Sequence, residues 1–507
     1  MFEGQPRGLW TLALANTGER FGYYTMLAVF TLFLQANFGF DEKVTSTIFS
    51  SFLMLVYFLP LFGGMLADKF GYSKMVTIGI FIMFIGYVLL SLPLGKDSFA
   101  IVAMGGALLL VSLGTGLFKG NLQVMVGDLY NDPQFASKRD SGFQLFYMAI
   151  NVGALFAPTA AIKMMGWAQT NLGMTEADSY HFAFAVACAS LIASIAIYYL
   201  GKKTFAQVIT VSKKDNKSNT NDQVEELTKS ETTERIICLC LVFTVVLFFW
   251  MAFHQNGLTL TFFARDYTAT SATGITAMEF DVMNLVWCIL IIYGLFGLFQ
   301  STTAKGKGIG AALVAIPAAI LGYTYYQQTN AIVAVDAPIF QQFNPAFVVG
   351  LTPVSIALFG WLAKKNKEPK APVKIGLGML VAAGAYIMLT VACIGLPLPA
   401  YDAEGTNLHM ADTTPNLLVS TYLVLTFAEL LLSPIGISFV TKVAPPKYKG
   451  MMMGGWFVST AIGNFLVQIP GYLWGKDLTI VWGTLAGICL IAALFIFSII
   501  KKLNKVA

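Results

Sequence analysis

Apolar stretches of roughly 20 residues, each long enough to cross a bilayer, recur from Leu9 almost to the C-terminus. Hydrocarbon offers a backbone no hydrogen bonds, so each stretch must satisfy its own N–H and C=O groups and reads as an α-helix. The expected spans are Leu9 to Leu34, Thr47 to Ala67, Met75 to Leu94, Ala100 to Val126, Gly142 to Met165 and His181 to Leu200. After a polar break come Ile236 to Phe262, Val282 to Phe299, Ile309 to Tyr326, Pro345 to Leu362, Ile375 to Leu396, Leu417 to Thr441, Met451 to Leu473 and Val481 to Ile500. The total is about fourteen, and the spans themselves are the fold: an all-α membrane protein with no room for a separate soluble domain. Composition agrees, at 56% hydrophobic and only 12% charged. The first stretch does not read as a cleaved signal, because Glu19 and Arg20 interrupt its middle.

The break is a polar, mixed-charge segment that includes Lys213-Lys214-Asp215-Asn216-Lys217 and reads as a solvated linker. It divides the chain into an N-terminal bundle of six helices (1–200), a cytoplasmic linker (201–235) and a C-terminal bundle (236–507) with an inserted hairpin at 282–326. With the N-terminus in the cytoplasm, the loops near Lys69 and Lys74, Lys138 and Arg139, Lys305 and Lys307, Lys364 to Lys374, and Lys442 to Lys449 all fall inside, as does the Lys501 to Lys505 tail. Alternate loops carry acids instead: Asp41 and Glu42, Glu176 and Asp178, or Asp402, Glu404 and Asp412. The pattern holds to the last residue, which requires an even number of spans and both termini cytoplasmic. The net charge of +5, spread over many loops, argues against a nucleic-acid partner. The six cysteines show no disulfide or zinc spacing and read as packing residues.

Inside the spans ionisable residues are few: Glu19, Arg20, Lys119, Glu429 and the titratable His254. Each costs at least a few kcal/mol at mid-bilayer unless it is paired or faces water, so they point inward. Asn16, Arg20 and Tyr24 share one stripe of the first helix, and Glu19 and Tyr23 share the next. Lys119 lies among Gly114, Gly116 and Gly120, where missing side chains allow close helix approach and room for a ligand. Glu429 precedes Ser433-Pro434, a point where the helix bends. The formal charges cancel, which suits a zwitterion: the cations take a carboxylate and Glu429 an ammonium. The plainer alternatives are a structural Glu19–Arg20 ion pair and a hydrogen-bonded neutral His254.

Gly64-Met65-Leu66-Ala67-Asp68-Lys69-Phe70-Gly71 resembles the loop signature of the major facilitator superfamily, in which the Asp holds a gate. Glu19-Arg20-Phe21-Gly22-Tyr23-Tyr24 and Phe146-Tyr147-Met148-Ala149-Ile150-Asn151-Val152-Gly153 further resemble motifs of the proton-dependent oligopeptide transporters. So do Phe249-Trp250, Asn344-Pro345, Glu429 through Ser438 and Gly455-Trp456-Phe457. The resemblance implies a major facilitator fold of two six-helix bundles, acting as a monomer in the bacterial inner membrane; the extra two-helix hairpin at 282–326 departs from the family's bacterial pattern, in which two additional spans usually lie between the halves. It implies proton-coupled import of di- and tripeptides by alternating access, with short peptides and protons as partners. Arg20, Lys119 and Asn151 would then hold the peptide carboxylate and Glu429 its amino terminus, with Tyr23, Tyr57, Trp250, Trp456 and Asn344 lining the pocket. Glu19, Lys119, Glu429 and His254 are the proton-coupling candidates, and Asp68 is the gate residue. Asn16 stands where the family's first-helix motif has its first acid. Leu27 and His254 stand where many members carry a facing base and acid.

Neither an ATP-driven pump nor an enzyme fits. There is no G-x-x-x-x-G-K-[ST], no H-E-x-x-H and no G-x-S-x-G, and the three histidines, at 181, 254 and 409, are scattered. No metal or cofactor is expected. The remaining alternatives are a carrier of a small anion such as nitrate and a non-transporting nutrient sensor.

Overall fold

The computed structural model describes residues 4–206, 208, 227–328, 331–398, 400 and 413–506. Most of the expected linker, the loop with Asp402, Glu404 and Asp412, and His409 lie outside these residues. The long helices, numbered in chain order, are α1 (Arg7–Phe38), α2 (Glu42–Phe70), α3 (Tyr72–Ser91), α4 (Ser98–Asp128), α5 (Arg139–Leu172), α6 (Glu176–Leu200) and α7 (Lys229–Phe253). They continue as α8 (Val282–Gln300), α9 (Ala304–Gln328), α10 (Phe343–Lys364), α11 (Ala371–Ala392), α12 (Pro415–Val443), α13 (Lys449–Leu466) and α14 (Leu478–Ser498). Among the described residues 13 helical segments are long and apolar enough to cross a membrane. The long helix outside this set is α1, with 32 residues, whose middle carries Asn16, Glu19 and Arg20.

The chain resolves into two compact units, Met1–His254 with Ile437–Tyr472 and Lys501–Ala507, and Gln255–Gly436 with Leu473–Ile500. In the first unit α1 packs on α5 and α6, α2 and α3 pack on α4, and α13 packs on α2 and α7. Lipid gives apolar helices no reason to associate, so small residues that let backbones approach set the crossings. A Cβ on Gly63 of α2 would overlap the Gly116 carbonyl of α4, and Asn121 of α4 donates to the Gly63 carbonyl at 3.1 Å. The same close approach joins α7 to α13, where a Cβ on Gly463 would overlap the Leu247 carbonyl.

In the second unit α8 and α9 form the hairpin, α8 packs on α10, and α11 packs on α14. Two short strands, β1 (Ser271–Ala272) and β2 (Val333–Ala334), pair antiparallel across the base of the hairpin, with Ala272 opposite Val333.

One span differs from its expectation. The apolar run Ile236 to Phe262 is not one helix: α7 opens with a capping box between Thr228 and Glu231 and ends at Phe253. A 3-10 turn over His254–Gly257 follows, and a short helix resumes at Thr259–Tyr267. The break frees the Asn256 carbonyl, which then accepts from the Tyr422 hydroxyl at 3.0 Å and from Thr261 at 3.1 Å. Buried hydroxyls from neighbouring turns are what let a membrane helix be interrupted. Beyond the break Asp266, fully buried, is paired with Arg265 at 2.5 Å and accepts from the Trp474 indole at 3.1 Å.

Candidate substrate and proton site

Within the first unit α1 brings Glu19, Arg20 and Tyr23 inward, all nearly or fully buried. Glu19 and Arg20 are adjacent in sequence, and their side chains close a two-pronged ion pair, Nε to Oε2 and Nη2 to Oε1, each at 2.5 Å. The guanidinium also lies over the Tyr23 ring, 4.7 Å from its centre. A carboxylate and a guanidinium that satisfy each other in this way can both remain ionised away from water.

Lys119 is held differently. The Gly63–Gly116 crossing presses α2 and α4 together, which places the Lys119 ammonium over the Tyr57 ring at 4.2 Å from its centre. Among the described residues it has no carboxylate partner. Gly120, beside it, has nothing within 4 Å of a would-be Cβ, so space is open there. The Tyr57 ring in turn lies 5.9 Å from the His254 imidazole, which stacks on Trp250 at 5.1 Å with an interplanar angle of 23°. The structure thus strings Lys119, Tyr57, His254 and Trp250 together from three elements that the sequence separates widely.

Asn151 on α5 is buried, and its amide donates to the Tyr147 carbonyl of its own helix at 3.1 Å. Trp456 on α13 is 2% exposed. Asp68, near the end of α2, is exposed and accepts a hydrogen bond from the Tyr72 hydroxyl.

The second unit holds the remaining candidates. Glu429 on α12 is 8% exposed, and its Oε2 accepts from the Asn344 amide of α10 at 2.9 Å. Asn344 also donates to the Thr426 hydroxyl at 3.1 Å, and Thr426 spends its own proton on the Tyr422 carbonyl at 2.7 Å. The fixed hydroxyl proton leaves the oxygen as the acceptor and so sets which face of Asn344 meets Glu429. No cation partners Glu429 among the described residues.

Two contributors were absent from the sequence reading. Thr426 precedes Glu429 by three residues, one helical turn, and that spacing was the available signal. Asn464 on α13, fully buried, comes one turn after Thr460 in an otherwise small and apolar stretch. A lone buried amide in a membrane helix was its signal. No group of histidines, cysteines and acids that could hold a metal ion occurs among the described residues.

The chain is 28% identical to an uncharacterized transporter of Bacillus subtilis, over 99% of this chain and 96% of that one. It is 27% identical to a di-/tripeptide transporter of Lactococcus lactis subsp. cremoris, over 90% and 87%, and 26% identical to dipeptide and tripeptide permease A of Escherichia coli, over 93% and 84%. A crystal structure of a peptide transporter POT in complex with alafosfalin superposes with a TM-score of 0.73 at 24% identity, covering 100% of this chain and 96% of that one. A POT family transporter in complex with 5-aminolevulinic acid gives 0.72 at 20%, covering 99% and 98%. At these identities the structural likeness is one of fold, and it bears out the all-α major facilitator architecture. The model of the POT family matches residues 73–215 and 324–471, more than half of the sequence, and the chain belongs to that family of multi-pass membrane transporters.

Proposed function

We propose that this protein is a proton-coupled symporter that brings di- and tripeptides into the cell by alternating access. The observation that carries the reading is a pair of ionisable groups of opposite kind within membrane helices, each without a counter-ion beside it. Lys119 has no carboxylate partner and Glu429 no cation among the described residues. Buried charges of that kind are costly unless a ligand completes them. A peptide supplies both complements, a carboxylate for Lys119 and an ammonium for Glu429, whereas a nitrate-like anion has no use for the second. The named functions of the Lactococcus and Escherichia relatives support the same substrate class.

In this reading Arg20, Lys119 and Asn151 serve the carboxylate side and Glu429 the amino terminus, held by Asn344. Tyr23, Tyr57, Trp250 and Trp456 line the pocket and contact backbone rather than particular side chains, which suits a permissive carrier. Glu19, Lys119, Glu429 and His254 exchange or balance the proton, and Asp68 serves a gate. Residues 1–200 and 236–507 are the two moving halves, joined by 201–235, with 282–326 as an accessory hairpin. The protein works as a monomer in the plasma membrane, the inner membrane in a bacterium with two, with both termini cytoplasmic.

The test is uptake of labelled dialanine into proteoliposomes under an inward proton gradient, comparing the intact protein with Glu429→Gln. Gradient-stimulated uptake that the substitution abolishes supports the proposal. Absence of peptide movement by the intact protein, with nitrate moving instead, overturns it.

A further inference from the structure

Helix α10 ends in a fixed, strongly cationic turn. The chain leaves the helix through Asn366, whose φ of 54° is left-handed, a conformation that Asn tolerates better than most side chains. The Lys367 N–H reaches back to the Leu362 carbonyl and the Asn366 N–H to that of Ala363, each at 2.9 Å, which is the paired closure of a Schellman motif. Pro369 and Pro372 then stiffen the way into α11. The lysines of this turn therefore project from a set backbone.

Residues 364–374 carry five lysines, at 364, 365, 367, 370 and 374, against one acid, Glu368. Lys374 takes that acid at 2.5 Å and lies over the Phe359 ring, 4.0 Å from its centre. Lys364, Lys365 and Lys367 are exposed and have no carboxylate partner among the described residues. The Lys365 ammonium rests instead 3.9 Å from the centre of the Trp361 ring, one turn earlier on the same helix. Trp361 is itself 52% exposed, and Leu358 and Val354 are bare at 50% and 37%. Positions 354, 358, 361 and 365 follow the four-three-four spacing of one helix face, so these side chains form a single stripe that ends in the lysines. An apolar stripe left bare on a membrane helix is covered by acyl chains, and a tryptophan with lysines just beyond it marks the level of the headgroups.

We propose that this end of α10 binds one anionic phospholipid, its phosphate among Lys364, Lys365 and Lys367 and its acyl chains along Trp361, Leu358 and Val354. Ammonium groups without a counter-ion attract a headgroup of net negative charge. A choline or ethanolamine headgroup brings its own cation to the same place and gains much less. The bound lipid holds the Lys364 end of α10 at one depth in the membrane, on the helix whose other end carries Asn344. The inference rests on the membrane spans and not on the peptide reading.

The test uses the purified full chain in phosphatidylcholine nanodiscs doped with phospholipids brominated on their acyl chains, since bromine quenches an indole it touches. Subtracting the quench that remains in Trp361→Phe isolates the part due to Trp361. Brominated phosphatidylglycerol should reach half of that quench at a much lower mole fraction than brominated phosphatidylcholine, by about fivefold for each lysine engaged. Lys364→Gln with Lys367→Gln, which leaves the Lys365–Trp361 stack in place, should lower the preference by about fivefold for each lysine removed. Lys501→Gln with Lys502→Gln removes as much charge from a different exposed cluster and should leave it unchanged. Equal quenching by the two lipids overturns the proposal. A preference that the Lys501 and Lys502 pair lowers as far as the Lys364 and Lys367 pair also overturns it, because a diffuse surface potential then accounts for the binding. Absence of any Trp361 quench by either lipid overturns the placement of the acyl chains, and the site with it.

Discussion

Replacing Asn344 by Leu isolates one interaction in the proposed ammonium site. The substitution keeps the branching of the side chain but removes the amide that donates to Glu429 at 2.9 Å and to Thr426 at 3.1 Å. A hydrogen bond to an ionised group contributes about 1.5–3 kcal/mol, which corresponds to roughly one to two decades in affinity. Without the amide, the buried carboxylate has no donor left among the described residues, and it stays ionised only against a bound ammonium or else takes up a proton and becomes neutral. Counterflow in proteoliposomes, which needs no proton gradient, then measures binding and exchange apart from coupling. The half-saturating concentration of dialanine should rise about 10- to 100-fold in Asn344→Leu. N-acetyl-dialanine, which has no ammonium, should exchange weakly in both proteins and change little between them. If the substitution weakened the acetylated peptide as much as the free one, the pairing of Asn344 and Glu429 with an amino terminus would be refuted.

Three further outcomes follow from the packing. Thr426→Val removes the second acceptor of the Asn344 amide but leaves the Glu429 bond, so the dialanine half-saturation should move by less than about fivefold, within one ordinary neutral hydrogen bond. Gly463→Ala forces α7 and α13 apart where a Cβ meets the Leu247 carbonyl, and should cost about 1–3 kcal/mol, read as a lower melting temperature in detergent. Asp266→Ala removes the ion pair with the partly exposed Arg265 and takes the acceptor from the Trp474 indole; breaking a buried pair costs up to about 3–5 kcal/mol, reduced here because Arg265 reaches solvent. That variant should melt earlier while its dialanine half-saturation is unchanged.

How much of this was legible in the sequence differs by length scale. The existence of the long helices was, because hydropathy sums over some 20 residues, although the run Ile236 to Phe262 proved to be interrupted. The interior charges were also legible, since Glu19, Arg20, Lys119 and Glu429 are conspicuous against an apolar background. What each charge pairs with was not. Adjacent residues such as Glu19 and Arg20 lie about 100° apart on a helix, so their ion pair depends on rotamers that no spacing rule gives. The same holds for Arg265 and Asp266, which lie just past the expected end of the seventh span. The interruption after Phe253 was hidden because no proline marks it; Gly257 was the single cue, and the hydroxyls that stabilise the break arrive from Tyr422, 166 residues away. Asn464 escaped for a related reason: its importance comes from a crossing set by the neighbouring glycine, which is a property of two helices and not of one.

The ladder between β1 and β2 makes the hairpin a detachable cassette. Ala272 and Val333 face each other directly, so the chain leaves for α8 and returns from α9 at one doorway. Two crossings in and out restore the side of the membrane from which the chain departed, and an ancestor could gain or shed the pair without inverting anything downstream. A two-residue Asn-Gly turn spliced between Ala272 and Val333 would close the same ladder as an ordinary hairpin, yielding a twelve-span carrier whose remaining helices keep their register.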